Sequence, residues 1–194
     1  MGTWTPWGMS DGQTTLAPGI ISYSTPSHGG IHVDDEQNKK IPAAMRAAEG
    51  WYEEDCEWAK VAFTFPKAFK PDHVEMAINT LKNWMPHEYM KVTGTILDPS
   101  ESSTLREEIW KETHKDHLQC VSASGSFGDN NVPKGIVGVV ACKGGHNKFG
   151  HYAGTLRYFL VPKAEYISWF VIEDEKKYEE VNSDFSRIAI EATK

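Results

Sequence analysis

The spacing of apolar residues changes character twice along the chain. Up to residue 33 they come in short runs cut by turn residues: GIISYS at 19–24 and IHV at 31–33 flank TPSHGG, the pattern of a β-hairpin. Residues 1–18 carry Gly, Pro, Ser and Thr with Trp4 and Trp7, which predicts an irregular arm anchored by its tryptophans. Helical spacing then takes over. Residues 34–48 favour helix split by Pro42, with Asp34 or Asp35 as N-cap. The densest apolar run follows at 51–69, WYEEDCEWAKVAFTFPKAF. Trp51, Trp58, Ala59, Ala62, Phe63 and Phe65 wrap most of the way round a helix, which predicts a central element buried on several sides. Glu53, Glu54 and Asp55 would then lie in its first turn, favoured by the helix dipole, and Pro66 would end it.

Three more helices are predicted. Val74, Ile78, Leu81 and Met85 form one stripe over 72–85 with Asp72 as cap. A short helix over 86–92 closes on Gly94, and another spans about 100–115, where Thr104 and Glu107 have capping-box spacing. Beyond His117 the runs LQCVSAS, GIVGVVACKGG, TLRYFLVP and SWFVIED are β-branched and aromatic, separated by turns at hairpin intervals. A last helix is expected within 173–194, packing through Tyr178, Val181, Phe185 and Ile188. With no regular β-α alternation, the expectation is one α+β domain over 1–194: an antiparallel sheet from 117–172 against a layer of helices from 34–115. Trp51, Trp58, Phe63 and Phe65 should be largely buried.

Composition narrows the function classes. The chain has 194 residues, a formal net charge of −7 and scattered basic residues, which argues against sequence-specific nucleic-acid binding. Cys56, Cys120 and Cys142 are odd in number and widely spaced, as expected of reduced thiols in a bacterial cytoplasm. The start, MGTWTPWGMSDG, has neither a basic nor an apolar region of a secretory signal, and no apolar run reaches a membrane span, so a cytoplasmic protein is expected. No oligomeric state follows from the sequence.

No Walker loop, Gly-x-Ser-x-Gly or His-Glu-x-x-His is present, so no cofactor, metal or catalytic residue is assigned. The richest polar cluster is the 25–35 loop, with Ser27, His28, Gly29, Gly30, His32, Asp34 and Asp35 as candidate binding surface. His28 and His32 are four apart and would share a face of an extended strand, where with Asp34 they have the residue types of a metal or acid-base site. Cys142, His146 and His151, with Cys120, are zinc-ligand types without zinc-ligand spacing; a glycine-rich hairpin is expected there. Acidic neighbours on both sides of Cys56 argue for a structural thiol. His114 and His117 are expected to serve the end of a helix.

The segments APGIISYSTPSHGGIHV, IPAAMRAAEGWYEEDCEWAKVAFTFPKAF and LRYFLVPKAEY resemble an uncharacterised domain family met in phage, plasmid and other mobile-element proteins, over about residues 7–172. TPSHGG and GWYEEDCEWA carry most of that resemblance. It implies an accessory role and brings no catalytic assignment. The expected function is binding of a host protein or complex, of the anti-CRISPR or anti-restriction kind, without catalysis. The alternative is a small metal-dependent hydrolase built on His28, His32 and Asp34.

Overall fold

A computed structural model describes residues 2–125, 132, 134–147 and 149–181. Both sheets and their helices conform to the α+β class, with every strand pairing antiparallel. Contacts divide the chain into two compact units, 1–107 and 108–194.

The first unit opens with a small ribbon, β1 (Trp4–Thr5) on β2 (Gly8–Met9). Four strands follow in spatial order: β3 (Gly12–Ala17), β4 (Ile20–Ser24), β5 (Gly29–Val33) and β6 (Trp51–Glu53). The hairpin expected around TPSHGG is β4–β5. The arm expected to be irregular supplies β3, and the head of the expected central helix supplies β6. Strand pairing overrides helical spacing here: Ile31 faces Tyr52 and His32 faces Trp51 across the β5–β6 ladder. Gly50 makes this entry possible. Its φ is +70°, and a Cβ there would sit 2.2 Å from the Val33 carbonyl oxygen.

Between β5 and β6 lies α1 (Asp35–Asn38), capped by Asp34, whose carboxylate accepts from the Gln37 N–H. The central helix is short, α2 (Trp58–Thr64), and ends where Pro66 requires. Glu53, Glu54 and Asp55 therefore precede it in a strand end and a turn. α3 (Pro71–Trp84) begins one residue before Asp72, so Asp72 sits in the first turn instead of capping it. α4 (Pro86–Thr93) closes on left-handed Gly94 as expected. The capping box belongs to Asp98 and Glu101 in a short 3-10 turn, and α5 (Ser103–Thr113) is capped from Ser102, whose hydroxyl accepts from the Leu105 N–H.

Helices α2 and α3 share a core with the four-stranded sheet: Ile20, Ile31, Val33, Ile41, Met45 and Tyr52 meet Ala59, Val61, Ala62, Ala77 and Leu81. The helix layer thus has its sheet where only a hairpin was expected. Trp51, Trp58, Phe63 and Phe65, expected inside, are each half-buried; the last three pack around this core, and Trp51 lies on the other face of the sheet. The buried face of α2 goes to small residues, which let the helix approach the sheet closely and push its aromatics to the rim.

The second unit is a sheet in the order β10–β7–β8–β9–β11, formed by β7 (Leu118–Ser124), β8 (Ile136–Lys143), β9 (Arg157–Pro162), β10 (Val171–Ile172) and β11 (Glu179–Val181). Its core is Leu118, Val137, Val139, Ala141, Phe159, Val161, Phe170 and Ile172. Tyr178 packs on it as expected, but next to a strand, and Val181 lies in that strand; Phe185 and Ile188 fall outside the described residues. Among the described residues, no helix is long and apolar enough to cross a membrane.

Candidate functional site

The 25–35 loop is more rigid than its glycines suggest. Thr25 and His28 clasp each other: the Thr25 N–H and hydroxyl both donate to the His28 carbonyl at 2.7 Å, and the His28 N–H donates back to Thr25 Oγ1. Pro26 and Ser27 form the exposed tip. Gly29 and Gly30 are buried in β5. A Cβ on Gly30 would strike the Trp7 indole at 2.2 Å, and one on Gly29 would strike Glu54 Oε2 at 2.6 Å. These glycines admit a covering tryptophan and a carboxylate against the backbone.

The candidate residues separate. His32 lies on Trp51, ring centroids 4.4 Å apart, in an aromatic group with Trp7 and Tyr23 on the sheet face opposite the core. Asp34 caps α1, and Asp35 is in the first turn of that helix. His28 is the member that meets other ligand-type groups. Its Nδ1 is 3.9 Å from Glu54 Oε1, and ligand atoms of His28, Glu53 and Glu54 all lie within 4.8 Å of one another. The Glu54 N–H donates to the Gly29 carbonyl, which locks the turn after β6 against the start of β5. Glu53 Oε2 accepts from the Asp55 N–H at 2.7 Å, while Glu53 Oε1 is shut off from solvent without a hydrogen-bond partner. His28, Glu53 and Glu54 form the one such ligand cluster found among the described residues.

Sequence reasoning missed Glu53 and Glu54 because it placed them on a helix, where neighbours point apart and away from the hairpin. The signal that finds them is Gly50 followed by an aromatic pair and three acids, a strand that breaks into a turn.

Beside this cluster, on the core side of the sheet, opens a groove of about 430 Å³. Ile31, Trp58, Phe69 and Met76 wall it, while Glu54 and His73 bring polar groups to it. Met76 is 56% exposed at its mouth. The local charge is lopsided. Glu57 pairs with Lys60, but among the described residues no lysine or arginine pairs with Glu53 or Glu54.

Residues 1–115 match the family model described as Domain of unknown function (DUF7007). The chain belongs to that family. No curated protein and no solved structure matches it. The groove, the clasped loop and the three ligand-type residues all lie within the DUF7007 region, whereas the sheet of β7–β11 lies beyond it.

Of the remaining sequence candidates, His117 departs from expectation, since its Nδ1 is buried without a hydrogen-bond partner among the described residues and its ring serves no helix carbonyl there. The buried Cys142 thiol donates to the Gly145 carbonyl, His146 stacks on Tyr152, and the His151 N–H donates to Asn147 Oδ1, the arrangement of a glycine-rich hairpin. Burial pushes the Cys120 thiol up, opposed by the nearby Tyr166 hydroxyl. The Cys56 thiol is pushed up by burial first and then by Asp55, Glu53 and Glu57, as expected of a thiol without nucleophilic character. His114 faces the Trp110 carbonyl at 2.8 Å, one turn back on α5.

Proposed function

We propose that this protein is an accessory protein of a mobile genetic element that acts by binding a host protein, and that the groove beside Glu54 is where it binds. The observation that carries this reading is the pairing of an apolar groove with one carboxylate at its edge, Glu54, with which no lysine or arginine pairs among the described residues. That chemistry fits a partner segment presenting an aliphatic or aromatic anchor beside a basic residue: the anchor fills the space between Trp58, Phe69 and Met76, and the charge meets Glu54. The likeness of TPSHGG and GWYEEDCEWA to mobile-element proteins supports the biological setting, and the absence of a catalytic motif from the sequence supports binding over chemistry. Inhibition of a host defence complex is the action such a protein would exert. The alternative, a hydrolase on His28, His32 and Asp34, has less support, because Asp34 is engaged as a helix cap and His32 by Trp51.

The test uses fluorescently labelled peptides carrying Leu or Phe flanked by Lys, with Glu-flanked peptides as controls. Lys-flanked peptides should bind the wild-type protein, and binding should weaken as salt rises. Met76→Glu, at an exposed position, should abolish binding without loss of folded signal, and Ile96→Glu, 90% exposed away from the groove, should retain it. Equal binding of both peptide classes, or retained binding by Met76→Glu, overturns the proposal.

A further inference from the structure

We infer that His28, Glu53 and Glu54 form a divalent-cation site that prefers zinc. Three observations converge on it. The first is geometric: one imidazole and two carboxylates present ligand atoms within 4.8 Å of one another. The His28–Glu54 separation of 3.9 Å is too long for a hydrogen bond, and approaches the roughly 3.4 Å between two ligands on one tetrahedral ion with bonds near 2.1 Å. The second is Glu53 Oε1, closed to solvent and without a donor. A carboxylate oxygen in that condition is costly to hold, and a cation supplies the missing charge and the missing bond. The third is the charge balance, since among the described residues neither glutamate has a lysine or arginine partner.

The surroundings are built to hold the ligands in place. The Thr25 clasp fixes the His28 backbone, the Asp55 N–H orients the Glu53 carboxylate through Oε2, and Gly29 provides the space in which the Glu54 carboxylate lies. An imidazole with two carboxylates suits zinc first and manganese second, while calcium and magnesium prefer oxygen alone. Three protein ligands would leave a coordination position for water or an added ligand.

The experiment is titration of the metal-free full-length protein with Zn²⁺ by calorimetry, and with Mn²⁺ by electron paramagnetic resonance. The second metal discriminates against the three cysteines, which attract zinc but have little affinity for manganese. Wild type should bind one equivalent of each ion and melt at a higher temperature with zinc than without. His28→Ala and Glu53→Gln should each weaken binding by about 100-fold or more, beyond the roughly 10–100-fold expected of a merely supporting residue. His28 is exposed, so its variant stays folded and keeps the test decisive if Glu53→Gln does not. Met76→Glu should bind the ions as wild type does, which separates this site from peptide binding in the groove. Absence of saturable binding for both ions, or binding that survives His28→Ala and Glu53→Gln unchanged, overturns the inference.

Discussion

Tyr52 shows how much one residue of the acidic, aromatic run has to satisfy at once. Its ring is buried completely in the first core, and its hydroxyl donates to Asn38 Oδ1 at 2.6 Å while accepting from the Ala47 N–H at 2.9 Å. That one oxygen joins β6 to α1 and to the irregular segment after Pro42. Tyr52→Phe should therefore destabilise the protein by about 1–3 kcal/mol, because it strands a buried acceptor and a buried donor, and chemical denaturation measures this directly. Burial also raises the pKa of Tyr52, with the Ala47 hydrogen bond opposing. A phenol whose folded pKa exceeds its unfolded value contributes stability that is fully present below the unfolded pKa and is lost as pH rises through the folded one. Melting temperature should thus decline as pH rises above about 10, and Tyr52→Phe should make that decline shallower. Unchanged alkaline sensitivity in the variant would place the titration elsewhere.

Among the elements, the ends are set by local chemistry and the type by pairing. Gly94 ends α4 at φ +71° with open space where a Cβ would go, so Gly94→Ala should cost about 1 kcal/mol from backbone strain alone. Gly30→Ala is a different case, since the added methyl meets the Tyr52 carbonyl at 2.5 Å and the Trp7 ring. It should lower the melting temperature more than Gly94→Ala does and should change tryptophan fluorescence, because the Trp7–Trp51 edge contact at 5.8 Å has to open. Equal effects from the two substitutions would mean that Trp7 does not cover β5.

For the molecule as a whole, charge and surface decide what kind of partner is feasible. The net charge of −7 and the unpaired carboxylates near the groove repel a phosphate backbone, so direct nucleic-acid binding should be absent at about 150 mM salt. Weak retention at low salt alone is compatible with this, whereas tight sequence-selective binding in a mobility-shift titration at 150 mM is not. Loss of the first core should be felt throughout the first unit: Leu81→Ala, at a fully buried position of α3, should cost about 2–5 kcal/mol and abolish peptide binding together with the folded signal. That joint loss contrasts with Met76→Glu on the same helix, which should remove binding alone.

The sequence by itself determined the α+β class, four of the five strands of the second sheet, from LQCVSAS to SWFVIED, the hairpin around TPSHGG, and the helix ends at Pro66 and Gly94. Each of these follows from period, turn chemistry or a backbone restriction carried by the residues concerned. Only the tertiary structure decided that Trp51–Glu53 is a strand, that Gly12–Ala17 joins the same sheet, and that Glu53 and Glu54 come to His28. In these places the local pattern suits two conformations, and the choice falls to partners distant in the chain: β5 pairs with β6 across some twenty residues. The candidate site was therefore half legible. His28 and the two glycines stand out as a turn, but their acidic partners are brought to them by a strand register that no local spacing records.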